Sequence, residues 1–325
     1  MKQFPVCRLL ALCVTALVAI AAQADDKLTV AERARAVTAT ARSAKQCQAL
    51  GDFYWEIGDA KQPLGQGSIG SSYHADTTMK IASASKWVFG SYVLEKIGKQ
   101  QAPSPAQLQL LEMQSGYTSL QYRRCVFART VADCFEKGHN GDYDSSQVGR
   151  FYYNGGHAQK LAIDLGLGDM NSREFGREIR RYLGKDDSGN DIDIGFASPQ
   201  PAGGMMTSAS EYGKFLRKIM SGGLRMKEYL AYHPVCTLPA ACNTATESPV
   251  PVAWHYSIHH WIEDDAQGDG AYSSPGAFGF YPWISADQQW YGILAREHHG
   301  LFAYKESVYC GIRLRKAWLT GQVQQ

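Results

Sequence analysis

The chain has 325 residues, with 33 lysines and arginines against 31 aspartates and glutamates, and 45% of it is hydrophobic. That length suits one large domain or two interleaved ones. The near-zero balance gives no sign of a nucleic-acid or anionic-membrane partner, and beyond the first two dozen residues no apolar run approaches the roughly 20 residues of a membrane-spanning helix.

The N-terminus reads as a leader. Lys2 and Arg8 form a positive start, Leu9 to Ala22 is an apolar run, and Ala22-Gln23-Ala24 is a small-x-small cleavage site. Cleavage near Ala24 places the protein in the periplasm or outside the cell. A lipidated Cys13 is disfavoured, because Leu12 is too bulky before it and apolar sequence continues after it. Losing Lys2 and Arg8 with the leader brings the two charge types level. Six cysteines then remain: Cys47, Cys125, Cys134, Cys236, Cys242 and Cys310. An even count in an exported chain points to disulfides. Local spacing favours Cys125 with Cys134 and Cys236 with Cys242, which leaves Cys47 with Cys310. No Cys-x-x-Cys occurs, so a zinc or redox motif is unsupported.

Residues 28 to 47 read as a helix with Val30, Ala34, Val37 and Ala41 on one face. Phe53 to Ile57 reads as a strand closed by Gly58-Asp59, and Gly65 to Ser72 as turns. A second helix begins near Ser83, with Trp87, Gly90, Leu94 and Ile97 recurring at helical spacing and Gly98 as its stop. From 103 to 200 the pattern is mostly helical and loop-like. Trp254 to Ile262, Gly279 to Ile284 and Trp290 to Ala295 read as strands, with a turn at Asp287-Gln288. A helix from Tyr304 to Leu319 ends the chain. Strand signals at both ends predict an α+β fold. One sheet domain is built from 25–102 and 201–325, flanked by helices, and a mostly helical region spans 103–200.

Four segments carry chemistry. Ser83-Ala84-Ser85-Lys86 places an amine one helical turn from a hydroxyl; such an amine can take the serine's proton, and the helix N-terminus favours a developing oxyanion. Taken alone, Ser83 as a helix cap and Lys86 as a solvated first-turn residue is the more ordinary reading. Tyr152-Tyr153-Asn154 offers a phenol for proton relay and an amide for orientation. Pro201-Ala202-Gly203-Gly204 is a tight turn before a helix capped by Ser208 or Ser210. Ser274-Pro275-Gly276-Ala277 leads into an aromatic strand.

In this order the segments resemble the serine β-lactamase and penicillin-binding DD-peptidase superfamily, nearest its class C β-lactamase and related esterase branch. Ile81-Ala82-Ser83-x-x-Lys86 matches the first family motif, Tyr152-x-Asn154 the second, and the Pro-Ala-Gly-Gly segment a third landmark. The resemblance runs from about Phe53 to Trp318 and implies an antiparallel sheet. Ser83 would be the acylated nucleophile and Lys86 its base or orienting group. Tyr152 would share that role and protonate the leaving group. Asn154 would bind a substrate amide or hold Lys86. The backbone N–H groups of Ser83 and Ala277 would form the oxyanion hole, and no metal or cofactor is implied. The family's Lys-Thr-Gly-type motif aligns with Ser274, Pro275 and Gly276, so the usual carboxylate-binding cation is missing there.

These residues point to an exported serine hydrolase acting on a small-molecule or peptide-like ester or amide. A true β-lactamase or DD-peptidase is the alternative, and so is a binding protein that keeps the fold without catalysis. A metal hydrolase using His259-His260 or His298-His299 is disfavoured, since adjacent strand residues face opposite ways; these read as surface or loop histidines. Trp254, Trp261, Tyr272, Phe278, Phe280, Tyr281 and Trp283 read mainly as sheet core, with one or two available to line an acyl pocket.

Overall fold

A computed structural model describes residues 28–184 and 191–325, and the leader read at 1–24 lies outside the described residues. The first helix, α1 (Val30–Ser43), starts at Thr29, whose hydroxyl accepts from Glu32 N while the Glu32 carboxylate accepts from Thr29 N. This reciprocal cap satisfies two amides that the helix itself leaves free. The helix expected to run to 47 breaks at the extended Ala44, and a single turn, α2 (Lys45–Gln48), follows. Next come β1 (Phe53–Gly58), β2 (Pro63–Ile69), β3 (Met79–Lys80) and α3 (Ser85–Ile97). The middle of the chain holds α4 (Pro105–Leu111), α5 (Val131–Glu136), β4 (Phe151–Tyr152), α6 (Gly156–Asp164) and α7 (Ser172–Leu183). Then follow β5 (Gly195–Phe196), β6 (Met205–Thr207), α8 (Ala209–Ser221), α9 (Met226–Tyr229), β7 (Val235–Cys236) and β8 (Ala245–Glu247). The last part holds β9 (His255–Tyr256), β10 (Trp261–Glu263), β11 (Ala271–Ser273), β12 (Tyr281–Ile284), β13 (Tyr291–Ala295) and α10 (Ala303–Thr320).

The main sheet has eight strands in the order β2-β1-β13-β12-β11-β10-β9-β7, every neighbour antiparallel. Its centre joins the two chain ends: β1 pairs with β13 from Tyr54 opposite Ala295 to Gly58 opposite Tyr291. The fold is thus mixed α and β on an antiparallel sheet, as expected. Alternate residues supply two cores, because successive strand side chains point to opposite faces. Tyr54, Ile293 and Ala295 join α3 and α8 on one side; Trp55, Ile57 and Leu294 join α1 and α10 on the other. With helices on both faces, every residue of β1 is buried.

Two strand expectations are corrected. The stretch read as turns at 65–72 begins as an edge strand, β2, whose glycines lie against tryptophans. A Cβ on Gly67 would sit 3.0 Å from the Trp55 indole nitrogen, and one on Gly65 would sit 3.1 Å from Trp318. The stretch Trp254 to Ile262 is two short strands, because His259 adopts φ +56° and turns the chain between them. The same turn buries His259 and His260 completely, so they are not surface residues; His298 and His299 are exposed.

Among the described residues three disulfides join Cys47 with Cys310, Cys125 with Cys134 and Cys236 with Cys242. Arg315 on α10 is buried against β10: it donates to Glu263 at 2.6 Å and to Asp269 at 2.7 and 2.8 Å. Tyr281 donates to the same Glu263 carboxylate at 2.6 Å.

Candidate active site

The chain enters α3 through a 3-10 turn, Ala82–Ala84. From Ile81 to Leu94 every residue is buried except Ser83, which is half-exposed. Ala82, immediately before it, sits at φ +45°, a left-handed conformation costly for a residue with a side chain. Surrounding groups hold that turn. Ser85 donates to Ala82 O and accepts from Met205 N, and Tyr212 on α8 donates to Ala84 O at 2.9 Å. Ser274 donates through its hydroxyl to Ser83 O at 3.2 Å. Gly276 lies so close that a Cβ there would come within 2.0 Å of Ile81 O. The segment after β11 is thereby pressed onto the turn that presents Ser83.

Lys86 is buried in the first turn of α3, with 4% of its surface exposed. Its ammonium nitrogen lies 3.0 Å from Ser83 Oγ and 2.9 Å from the carbonyl of Ala202. The third side of the nitrogen faces the Tyr153 ring, 4.7 Å from its centroid. The nitrogen therefore faces two oxygens and one aromatic ring. Tyr153 is itself fixed by stacking on Trp261, at 5.4 Å between centroids, and edge-on against Tyr256 at 6.0 Å.

Tyr152 is half-buried, its carbonyl is engaged with His157, and it is Tyr153, not Tyr152, whose ring covers Lys86. The Asn154 amide oxygen accepts from Leu120 N at 3.1 Å and Gly156 N at 2.8 Å, and its nitrogen donates to Leu120 O. Asn154 thus secures the loop over the site. Ala277, next to Gly276, is exposed, and the amide of Gly276 is taken up by Phe280 O at 2.8 Å.

Sequence reasoning passed over two groups. The Ala202 carbonyl orients Lys86, although its segment read only as a turn. His157 sits behind the Tyr152–Asn154 segment with no exposed surface. Its Nε2–H donates to Tyr152 O at 2.9 Å, and its Nδ1 accepts from the Ser115 hydroxyl at 2.7 Å. A carbonyl can only accept, so these two bonds fix the neutral tautomer. Burial pushes His157 down to about 4, partly opposed by the Tyr152 carbonyl and reinforced by the nearby Lys86 charge. Ala202 lay inside a motif already singled out and His157 three residues beyond another, but nothing local marked a carbonyl acceptor or a buried ring.

Of the aromatic residues considered for an acyl pocket, Trp261, Phe280, Tyr281 and Trp283 are core. Trp254 lines a groove of about 730 Å³ between α10 and the β10–β11 hairpin, together with Val250, Val308 and Ile312. The groove reaches Pro275, one residue from Ser274.

No protein-family model matches the sequence, and no curated protein matches it. Solved structures do share the fold. EstCE1, a hydrolase with promiscuous acyltransferase activity, superposes with a TM-score of 0.62 at 12% identity over 89% of this chain and 99% of its own. A D-stereospecific amidohydrolase from Streptomyces sp. gives 0.60 at 11% identity over 91% of this chain and all (100%) of its own. An octameric penicillin-binding protein homologue from Pyrococcus abyssi gives 0.60 at 13% identity over 91% and 78%. The chain has the fold of the serine β-lactamase and penicillin-binding protein superfamily.

Proposed function

We propose that this chain, built on that fold, is an exported serine hydrolase that cleaves an ester or amide through an acyl-enzyme on Ser83. The observation that carries the reading is the 3.0 Å approach of the Lys86 amine to Ser83 Oγ, on the one unburied residue of the α3 entrance. As a free amine Lys86 takes the hydroxyl proton while Oγ bonds to the carbonyl carbon. The proton then passes to the leaving alcohol or amine as its bond to that carbon breaks. Water attacks the acyl-enzyme in the second half, regenerating Ser83. The Ser83 amide at the start of α3 and the Ala277 amide stabilise the oxyanion in this mechanism. Tyr152 shares the base role and protonates the leaving group in this reading, the Tyr153 ring covers Lys86, and Asn154 acts through the loop it fastens. Neighbours that include an amidohydrolase and an acyltransferring hydrolase support ester or amide chemistry. The Ser274-Pro275-Gly276 stretch offers no cation to a substrate carboxylate, which favours esters and amides over penicillins. Three disulfides support an oxidising compartment.

The test is to expose the protein and Ser83→Ala to a fluorophosphonate, a fluorescent penicillin and p-nitrophenyl esters, and to locate adducts by mass spectrometry. Ester turnover and a fluorophosphonate adduct that both vanish in Ser83→Ala are expected, without a penicillin adduct. A folded protein that forms no adduct with any probe is a binding protein, and the proposal fails.

A further inference from the structure

The sequence Tyr122-Arg123-Arg124-Cys125-Val126-Phe127-Ala128-Arg129 has no part in that chemistry. Leu120, just before it, exchanges hydrogen bonds with Asn154, and Gln121 N donates to the buried Asn140. Asn140 also donates to Cys134 O at 2.8 Å, and the Cys125–Cys134 disulfide closes the loop. So braced, the loop cannot fold its apolar side chains inward. Phe127 is 87% exposed, and Tyr122 and Val126 are exposed beside it. Exposed aromatics of this kind mark an interaction surface.

Within residues 122–137 the basic side chains Arg123, Arg124, Arg129 and Lys137 outnumber the acids Asp133 and Glu136, with Asp142 and Asp144 following in the next loop. Arg123 and Arg124 have no acidic partner among the described residues; Arg124 bonds only the neutral Gln121. Arg129 reaches Asp133 at 4.0 Å with its side chain 90% exposed, and Lys137 shares that same Asp133. Glu136 is the other acid of the segment and is exposed. The balanced total charge of the chain conceals this local excess.

A second apolar tip is tied to the segment that follows β11. Leu301 is 90% exposed and Phe302 follows it, in the loop leading to α10. That loop is tied to the Gly276–Phe278 segment: His298 N donates to Phe278 O at 2.8 Å, and the His299 ring meets Phe278 at 4.4 Å.

We propose that the protein docks on an anionic phospholipid surface. Tyr122, Val126 and Phe127 enter the interface, and Arg123, Arg124 and Arg129 meet the headgroup phosphates. An aromatic and aliphatic tip ringed by arginines is what such an interface accommodates, the rings at headgroup depth and the guanidinium groups on phosphate. Leu301 and Phe302 enter as a second apolar tip. This proposal concerns binding and does not depend on turnover.

Co-sedimentation of the disulfide-bonded protein with phosphatidylcholine vesicles, with and without phosphatidylglycerol, tests it. Binding to the mixed vesicles that weakens with salt is expected. Phe127→Ser is expected to weaken it about tenfold, and Arg123→Gln or Arg124→Gln about fivefold each. Hydrolysis of a short soluble ester stays unchanged in all three, since none touches the site. All variants are compared as the same chain without residues 1–24, so the differences report the loop alone. Absence of binding, equal binding to neutral vesicles, or equal binding by wild type and loop variants would each overturn the proposal. Unchanged affinity in Leu301→Ser would overturn the role of the second tip.

Discussion

His157 provides a quantitative test of how the site is held. Its folded value of about 4 lies below the ordinary 6.5, chiefly because burial disfavours the imidazolium. The unfolded chain therefore binds more protons between those values, and stability rises with pH across that window. Above about pH 7 the full stability is present. It is lost as pH falls through 6.5, and the loss is complete below about 4. The total is about 3 kcal/mol, of which about 2 kcal/mol is gone by pH 5. Other buried histidines titrate too, so the comparison that isolates this one is wild type against His157→Gln, whose amide can still donate toward Tyr152 O. Urea unfolding of both at pH 7 and pH 5 gives four free energies. Wild type is expected to lose about 2 kcal/mol more than the variant. An equal loss in both proteins would refute the reasoning. In the folded protein His157 protonates only near 4, where the Ser115 hydroxyl must turn to accept from Nδ1–H behind the Tyr152–Asn154 segment, so ester hydrolysis is expected to hold down to about pH 5 and to fall as pH approaches 4.

Lys86→Met removes the proton acceptor and should lower kcat/KM about 10²- to 10⁴-fold with near-ultraviolet circular dichroism unchanged; retention of activity within about tenfold would exclude Lys86 as the base. Gly276→Ala puts a methyl 2.0 Å from Ile81 O. It should displace the Ser83 turn and reduce fluorophosphonate labelling at least about tenfold, whereas full-rate labelling would show that the turn can yield. Arg315→Met leaves the Glu263 carboxylate buried without its cation and should cost about 3–5 kcal/mol by denaturant unfolding. Adding Glu263→Gln should recover part of that loss, and failure to recover any would mean that packing, not charge, holds the site.

Much of this architecture was legible along the chain, for physical reasons. Strands β1, β12 and β13 announced themselves through aromatic and β-branched runs, and their place at both ends already implied a sheet joining the termini. Strand β2 did not, because the feature that lets it pack, glycine where Trp55 and Trp318 need room, is also the mark of a turn. The break at His259 was hidden because nothing local favours a left-handed histidine; it follows from the crowded contact with Gly90, where a Cβ would come within 2.9 Å of His259 Cβ. At the candidate site, the spacing of Ser83 and Lys86 on one helix gave the central pair directly. The partners of Lys86 were out of reach, since Ala202 O and the Tyr153 ring arrive from distant segments and are selected by packing.

The bridge between Cys47 and Cys310 spans 263 positions. It fastens a helix made among the first to one made last, beside a strand pair, β1 with β13, that likewise cannot form until the whole chain is present. During synthesis Cys47 therefore spends its time beside Cys125, Cys134, Cys236 and Cys242, each of which arrives before its true partner. A cell that oxidises thiols in order of appearance would link the wrong ones. Correct maturation thus depends on the two short-range bridges closing quickly enough to remove those competitors, or on a catalyst that reshuffles them. The Cys47–Cys310 bridge is therefore a late checkpoint, closed only once α10 has delivered Cys310.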